Sequence, residues 1–146
     1  MILKVGKAAA LLLHRQRKAG DKHYKIVIGK DTRFSCEVIE KLLVGGISSC
    51  GVDVALVETV STPGLAFLAR RLKAGIGIMT SASHNKAEEN GIKFFNHLGF
   101  KLPINDEEKL ENLVFKYHFD DTPAYAPGIV TEVKDAQRLY IDFLKS

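Results

Sequence analysis

Short apolar runs alternate with amphipathic stretches along most of this chain. The runs are rich in β-branched residues, which is typical of buried strands. They lie at Tyr24–Ile28, Val52–Val57 and Ala74–Met79. Apolar residues at helical spacing stand before the first run and between the others. The links between these predicted helices and strands are short. A regular alternation with short links predicts a doubly wound α/β sheet that is at least partly parallel.

Turn and cap residues predict where the helices begin and end. The first helix is expected over Leu3–Ala19, with Gly20 as its stop. Ser35 is a candidate N-cap for the second helix, and Gly51 is placed to end it. Pro63 occupies the first-turn position that favours proline, so a third helix is expected to start there.

The second half of the chain predicts a different arrangement. A strand over Gly91–Phe95 is followed by a helix that starts near Asn105 and runs to about Tyr117. The segment 120–130 contains Pro123, Pro127 and Gly128, which is typical of a linker. We therefore expect an α/β domain over residues 1–119, a linker over 120–130 and a helix over 131–146 that leads toward an absent second domain.

Composition excludes several classes of protein. With 146 residues, 46% apolar and 26% charged, the chain suits one globular domain. No apolar run approaches the roughly 20 residues that span a bilayer. No signal-peptide cleavage site follows the early Ala/Leu run, so we expect a cytoplasmic protein without membrane contact. Cys36 and Cys50 have no metal or disulfide spacing and are expected to be reduced.

The net charge of +4 raises nucleic-acid binding as an alternative. The basic residues lie near predicted helix ends, where cations complement the helix dipole. Aromatic RNA-binding motifs and zinc-finger spacings are absent from the sequence. We therefore expect no nucleic-acid partner.

The strongest candidate for chemistry follows the third apolar run. Three hydroxyl residues, Thr80, Ser81 and Ser83, are followed at once by His84 and Asn85. In open α/β sheets, ligands collect at the loops that leave the carboxyl ends of strands. A serine in such a loop is a candidate nucleophile or phosphate carrier, and the alternative is a polar turn that bonds its own backbone.

Three segments in order carry a family resemblance. Ser81–Asn85 with Asn90–Phe95 closely resembles the phosphoserine loop of the α-D-phosphohexomutases, most of all the bacterial phosphoglucosamine mutase branch. Ile28–Arg33 resembles the first strand-and-loop motif of that family, and Ser61–Gly64 its Pro-containing turn into a helix. The resemblance covers roughly Leu3 to Leu113, and three matches in family order are more specific than any one alone.

The resemblance implies a fold and an activity. The fold is a three-layer α/β/α domain with a mixed sheet, the first domain of a phosphohexomutase. The activity is intramolecular phosphotransfer, converting glucosamine 6-phosphate to glucosamine 1-phosphate through a bisphosphate. It implies that Ser83 carries the phosphate and serves as a metal ligand through it for Mg²⁺. His84, Lys93 and Arg33 match positions near the transferred phosphate.

The sequence also departs from the family pattern. Lys86 stands where the family has proline, and the family's opening strand is missing. The magnesium, sugar-specificity and carboxy-terminal phosphate loops belong to later domains and are missing too. We therefore expect this chain alone to be inactive and inclined to self-associate. Two alternatives remain: a phosphomannomutase or phosphoglucomutase domain acting on a hexose phosphate, and a non-catalytic α/β relic or binding module.

Overall fold

The computed structural model describes residues 1–21, 24–82 and 90–146. Within them the strands lie in one sheet: β1 (Lys25–Lys30), β2 (Asp53–Thr59), β3 (Ile76–Ala82), β4 (Asn90–Asn96) and β5 (Val130–Glu132). The helices are α1 (Ile2–Gln16), α2 (Phe34–Ser49), α3 (Thr62–Arg71), α4 (Ile104–Lys116) and α5 (Ala136–Lys145), with a 3₁₀ turn at Phe119–Asp121. None of these helices is long and apolar enough to cross a membrane.

The sheet has the strand order β4-β3-β1-β2-β5. β1 pairs in parallel with β2 and with β3, and β5 pairs in parallel with β2. β4 runs antiparallel to β3. The expected mixed α/β sheet is thus confirmed, with β1 at its centre.

Alternating side chains of the strands feed two separate cores. In β1, Ile26 and Ile28 join the core under α1, α2 and α4, whereas Val27 joins the core under α3 and α5. All three side chains are fully buried. Neighbouring side chains of a strand point to opposite faces, so a strand buried on both sides must be apolar throughout. The result is the three-layer α/β/α arrangement.

Several predicted helix boundaries agree with the structure, but one cap and the end of the first helix do not, because α1 ends at Gln16 before the predicted stop at Gly20. Pro63 lies in the first turn of α3, where Ser61 accepts the backbone N–H of Gly64. Gly51 follows α2 with a φ of +77°, a conformation that favours glycine. Ser35 is not the N-cap of α2, because the helix begins at Phe34 after Arg33. In the turn that precedes the helix, the Asp31 carboxylate accepts the backbone N–H of Arg33.

Two glycines allow α1 and α2 to pack at close range. A Cβ atom added to Gly6 would lie 2.6 Å from the backbone oxygen of Leu43. A Cβ atom on Gly46 would collide with the backbone oxygen of Leu3. The neighbouring Gly45 is exposed and has room for a Cβ atom, 3.6 Å from a side-chain carbon of Leu3. The contact therefore depends on Gly6 and Gly46 but not on Gly45.

The segment predicted as a linker lies against the domain. Gly128 donates its N–H to the Ser48 carbonyl at 2.9 Å, and the Ser48 hydroxyl donates to the Gly128 carbonyl at 2.7 Å. The ring of Tyr125 stacks on that of His14, with centroids 4.7 Å apart. The chain then forms β5, a strand that the sequence analysis did not predict. The division into residues 1–119, 120–130 and 131–146 stays a prediction.

Candidate functional site

The carboxyl ends of β1 and β3 meet at one edge of the sheet. Lys30 is level with Thr80, and Asp31 donates its backbone N–H to the Thr80 carbonyl at 3.0 Å. β3 continues to Ala82, which pairs with Asn90 at the start of β4. Two of the predicted site residues, Ser83 and His84, lie outside the described residues, between these paired positions.

Lys93 lies on β4 at the same edge. It is exposed, and its strand partner is Met79, which in turn pairs with Gly29 of β1. Neighbouring strands are about 4.8 Å apart, so the backbone of Lys93 is about 10 Å from that of Gly29. A lysine side chain is long enough to extend over that edge. The backbone register therefore places Lys93 two strands away from the end of β1, near the same edge of the sheet.

Arg33 is held at this edge by Asp31. The Arg33 backbone N–H donates to Oδ1 of Asp31 at 2.9 Å, and Arg33 Nε lies 4.0 Å from Oδ2 of the same carboxylate. The Arg33 side chain is 38% exposed. Its planar fork of donors is suited to a phosphate or carboxylate ligand.

The Cys36 side chain contacts the same turn, and the sequence did not predict this contact. Its fully buried sulfur lies 3.1 Å from Asp31 Oδ1 and 3.6 Å from the Thr80 carbonyl oxygen. Burial raises the pKa of the Cys36 thiol, and the Asp31 carboxylate raises it further. The group therefore stays a thiol and acts as a hydrogen-bond donor.

A second set of charged side chains lies near Asp31 and Arg33, on the α2 side of the sheet. Lys30 Nζ lies 3.3 Å from Oε1 of Glu40 and 3.7 Å from Glu37. Glu40 is 8% exposed, and its Oε2 is buried without a hydrogen-bond partner. These side chains line a cavity of about 270 Å³, which Glu58 and Glu132 also reach. Burial raises the pKa of Glu40, and the attraction of Lys30 lowers it by less.

The sequence contains a pattern that is consistent with the pair of Lys30 and Glu40. Glu37 and Glu40 are spaced three residues apart on a predicted helix, directly after the strand that ends in Lys30. Residues at that spacing share one helix face. The spacing alone does not reveal the pair, because the sequence does not show which face of α2 covers the end of β1.

A larger cavity of about 590 Å³ lies at the opposite edge of the sheet, near Gly75 and Asn96. Its lining includes Lys18, Asp21 and His97. We place the candidate site at the carboxyl edge because the predicted site residues Arg33 and Lys93 lie there, and size alone does not define a site.

The described residues do not fit a magnesium site. None of their His, Cys, Asp and Glu side chains form a group of three that could hold a metal ion. The Asp31 carboxylate is already used by Arg33 and Cys36. Mg²⁺ binding through a phosphate on Ser83 would involve a residue outside the described part of the chain.

Comparison with known proteins gives consistent relatives. Residues 1–121 match the family described as phosphoglucomutase/phosphomannomutase, alpha/beta/alpha domain I. The chain is 45% identical over 146 residues to a phosphoglucosamine mutase from Protochlamydia amoebophila, covering 99% of this chain and 31% of that protein. A phosphoglucosamine mutase from Citrifermentans bemidjiense is 44% identical over 148 residues, covering 100% of this chain and 32% of its own length.

Solved structures share the fold. A Thermus thermophilus protein assigned as a phosphomannomutase superposes with a TM-score of 0.80 at 28% identity, covering 99% of this chain and 31% of that one. A family protein from Burkholderia thailandensis has a TM-score of 0.72 at 23% identity, covering 94% of this chain and 30% of that one, which supports the fold alone. The chain spans about a third of the length of these relatives. It belongs to the phosphoglucomutase/phosphomannomutase family, as an alpha/beta/alpha domain I similar to that of the phosphoglucosamine mutases.

Proposed function

We propose that this chain is the phosphoserine-bearing domain of a cytoplasmic enzyme that interconverts glucosamine 6-phosphate and glucosamine 1-phosphate. Its role is to carry a phosphoryl group on Ser83 and exchange it with the sugar phosphate through a bisphosphate intermediate. The observation that carries the proposal is 45% identity to a phosphoglucosamine mutase across 99% of the chain. The proposal includes domains beyond this one, since this chain covers only about a third of each relative.

Each proposed site residue has a physical role in phosphoryl transfer. Transfer of this kind depends mainly on positioning and on neutralising the charge of the phosphoryl oxygens. Arg33 supplies paired donors for two of those oxygens. Lys93 supplies a positive charge or a proton, and His84 is suited to proton transfer near neutral pH.

The arrangement at the carboxyl edge supports these roles for the described residues. Arg33 follows β1, Lys93 is on β4, and β3 between these strands leads to Ala82. The two strands that flank β3 thus carry Lys93 or lead to Arg33, and Ser83 follows β3 in the sequence. Since the described residues do not fit Mg²⁺, we derive no step through a metal ion.

Mass spectrometry tests the central claim directly. Cleavage after Lys73 and Lys86 releases the peptide Ala74–Lys86, which contains Thr80, Ser81 and Ser83. We expect this peptide from source cells to carry a phosphate localised to Ser83. Samples from cells with a Ser83→Ala replacement provide the control. A phosphate on Thr80 or Ser81, or none in growing cells, would contradict the proposal and favour a non-catalytic module.

A second candidate substrate is a hexose phosphate. The likeness to the Thermus thermophilus protein assigned as a phosphomannomutase favours it. Turnover of glucosamine, mannose and glucose 6-phosphates by the complete gene product decides between them. We expect glucosamine 6-phosphate to give the highest kcat/KM, and a preference for either hexose would replace the proposed substrate. We also expect the isolated 146-residue chain to convert none of the three.

A further inference from the structure

We infer that Asp31 is a positioning residue for Arg33 and that the buried thiol of Cys36 fixes the Asp31 carboxylate. The inference rests on the proposed function, in which Arg33 contacts the phosphate carried by Ser83. Among the described residues, Asp31 and Cys36 contact each other, Arg33 and Thr80. Their effect on the phosphate is exerted through the orientation of the Arg33 guanidinium group.

Both oxygens of the Asp31 carboxylate are used within the turn. Oδ1 accepts the Arg33 backbone N–H at 2.9 Å and lies 3.1 Å from the Cys36 sulfur. Oδ2 lies 4.0 Å from Arg33 Nε. The carboxylate therefore fixes the backbone of Arg33 by a hydrogen bond, and it attracts the guanidinium group through Nε at ion-pair distance.

The same turn is tied to the strand that leads toward Ser83. Asp31 donates its backbone N–H to the Thr80 carbonyl at 3.0 Å, and the Cys36 sulfur lies 3.6 Å from that oxygen. Thr80 is fully buried and donates its own hydroxyl to the Gly29 carbonyl at 3.3 Å. Movement of Asp31 relative to β3 would break contacts with a rigid, buried part of the sheet.

The arrangement suits positioning better than stabilisation. The Asp31 and Arg33 side chains are 27% and 38% exposed, and exposed ion pairs contribute little to stability. Pairing through Nε leaves the two terminal nitrogens of Arg33 without a partner among the described residues, as bidentate phosphate binding requires. Cys36 is fully buried, so its hydrogen bond persists where water does not compete.

The test uses this chain with phosphoserine installed at position 83. Phosphorus NMR measures the second pKa of the phosphoserine, which is about 6 without a nearby charge. An arginine beside the phosphate stabilises the dianion and lowers that pKa, so Arg33→Gln should raise it. Cys36→Ala removes the hydrogen bond while keeping every charge in place, and Cys36→Ser restores a donor.

We expect Cys36→Ala to raise the phosphoserine pKa by about 0.5, the change expected when a solvent-exposed ion pair weakens. Cys36→Ser should return it toward the parent value. Thermal unfolding of each variant checks that the domain is folded at the temperature of measurement. If Arg33→Gln raises the pKa and Cys36→Ala does not, the positioning role is wrong while the proposed function stands.

A second measurement covers the case in which Arg33→Gln has no effect. That result would refute the phosphate contact of the proposed function. Nitrogen-15 relaxation at Arg33 Nε then decides the positioning role by itself. We expect greater side-chain motion in Cys36→Ala and Asp31→Asn than in the parent and Cys36→Ser, and equal motion in all four would overturn the inference.

Discussion

Two ion pairs start from neighbouring residues at the end of β1. Lys30 reaches Glu40 at 3.3 Å under α2, where the two side chains are 16% and 11% exposed. Asp31 lies 4.0 Å from Arg33 at the mouth of the candidate site, and both groups are more exposed. Adjacent residues at the carboxyl end of β1 therefore take part in a buried pair and in a more exposed pair.

The difference in burial determines what each pair can do. Burial disfavours the charged form of Glu40 more than the attraction of Lys30 favours it, so the pKa of Glu40 is raised despite its partner. Removing Lys30 would leave a buried charge, whereas removing Arg33 would leave Asp31 partly in water. We call Lys30–Glu40 the inner pair and Asp31–Arg33 the outer pair. The inner pair should therefore govern stability, and the outer pair should govern ligand binding.

The largest effect should come from Lys30→Met, which keeps the length of the side chain but removes its charge. We expect a loss of about 3 kcal/mol in the free energy of unfolding at pH 7, because the Glu40 carboxylate becomes unpaired. The loss should be smaller at a lower pH, where Glu40 takes up a proton and the unpaired charge disappears. Urea unfolding at both pH values measures it, with Lys30→Met/Glu40→Leu as the control. A loss below about 1 kcal/mol at pH 7, the range of a surface ion pair, would contradict the comparison.

The packing of α2 against α1 should be next in effect, since α2 carries Glu40 and begins directly after Arg33. Gly46→Ala should cost about 1 to 3 kcal/mol, because its Cβ atom collides with the α1 backbone. Gly45→Ala, one residue earlier, should be neutral or stabilise by up to about 1 kcal/mol through helix propensity. Thermal unfolding of the two variants side by side measures the contrast. Similar melting temperatures would mean that α1 and α2 do not pack at this distance.

Glu40→Gln tests the protonation of the inner pair. Since the pKa of folded Glu40 is raised above its ordinary value of 4.5, the folded chain keeps a proton that the unfolded chain has lost. The contribution of this group to stability is therefore fully present below about pH 4.5 and declines as the pH rises through the raised pKa. Unfolding free energies measured from about pH 4 to 8 should show that decline in the parent relative to Glu40→Gln. Parallel profiles would refute the raised pKa.

The smallest effect should be the coupling between the outer pair. A double-mutant cycle of Asp31→Asn and Arg33→Gln should give a coupling energy below about 1 kcal/mol in urea unfolding, as exposed ion pairs do. The same variants should still change phosphate binding at the carboxyl edge. A coupling energy as large as the loss in Lys30→Met would remove the distinction between the pairs.

Much of this fold could be predicted because local signals and tertiary structure agree. Pro63 and Gly51 mark helix ends in the structure as they do in the sequence, and the apolar runs became β1, β2 and β3. β5 could not be found in the same way. Its residues are all exposed and carry no apolar pattern, and its place is fixed by pairing with β2, far away in the chain.

The candidate site was predictable only in part, for a related reason. Arg33 and Lys93 were identified by resemblance, and their roles, like those of Ser83 and His84, stay predictions. The contact between Cys36 and Asp31 depends on how α2 packs over the end of β1, which no spacing in the sequence specifies. The N-cap prediction at Ser35 was wrong: serine is a common cap residue, but the helix begins at Phe34, one residue before it, and has no side-chain cap.

The strand order also determines how the sheet can assemble as the chain leaves the ribosome. β1 is central, β2 and β3 add on either side of it, β4 adds beside β3, and β5 adds beside β2. Each strand joins an edge that earlier residues have already formed, and none must insert between two strands already paired. Because domains generally fold as units while synthesis proceeds from the amino terminus, this sheet permits growth outward from its first strand without undoing any earlier pairing.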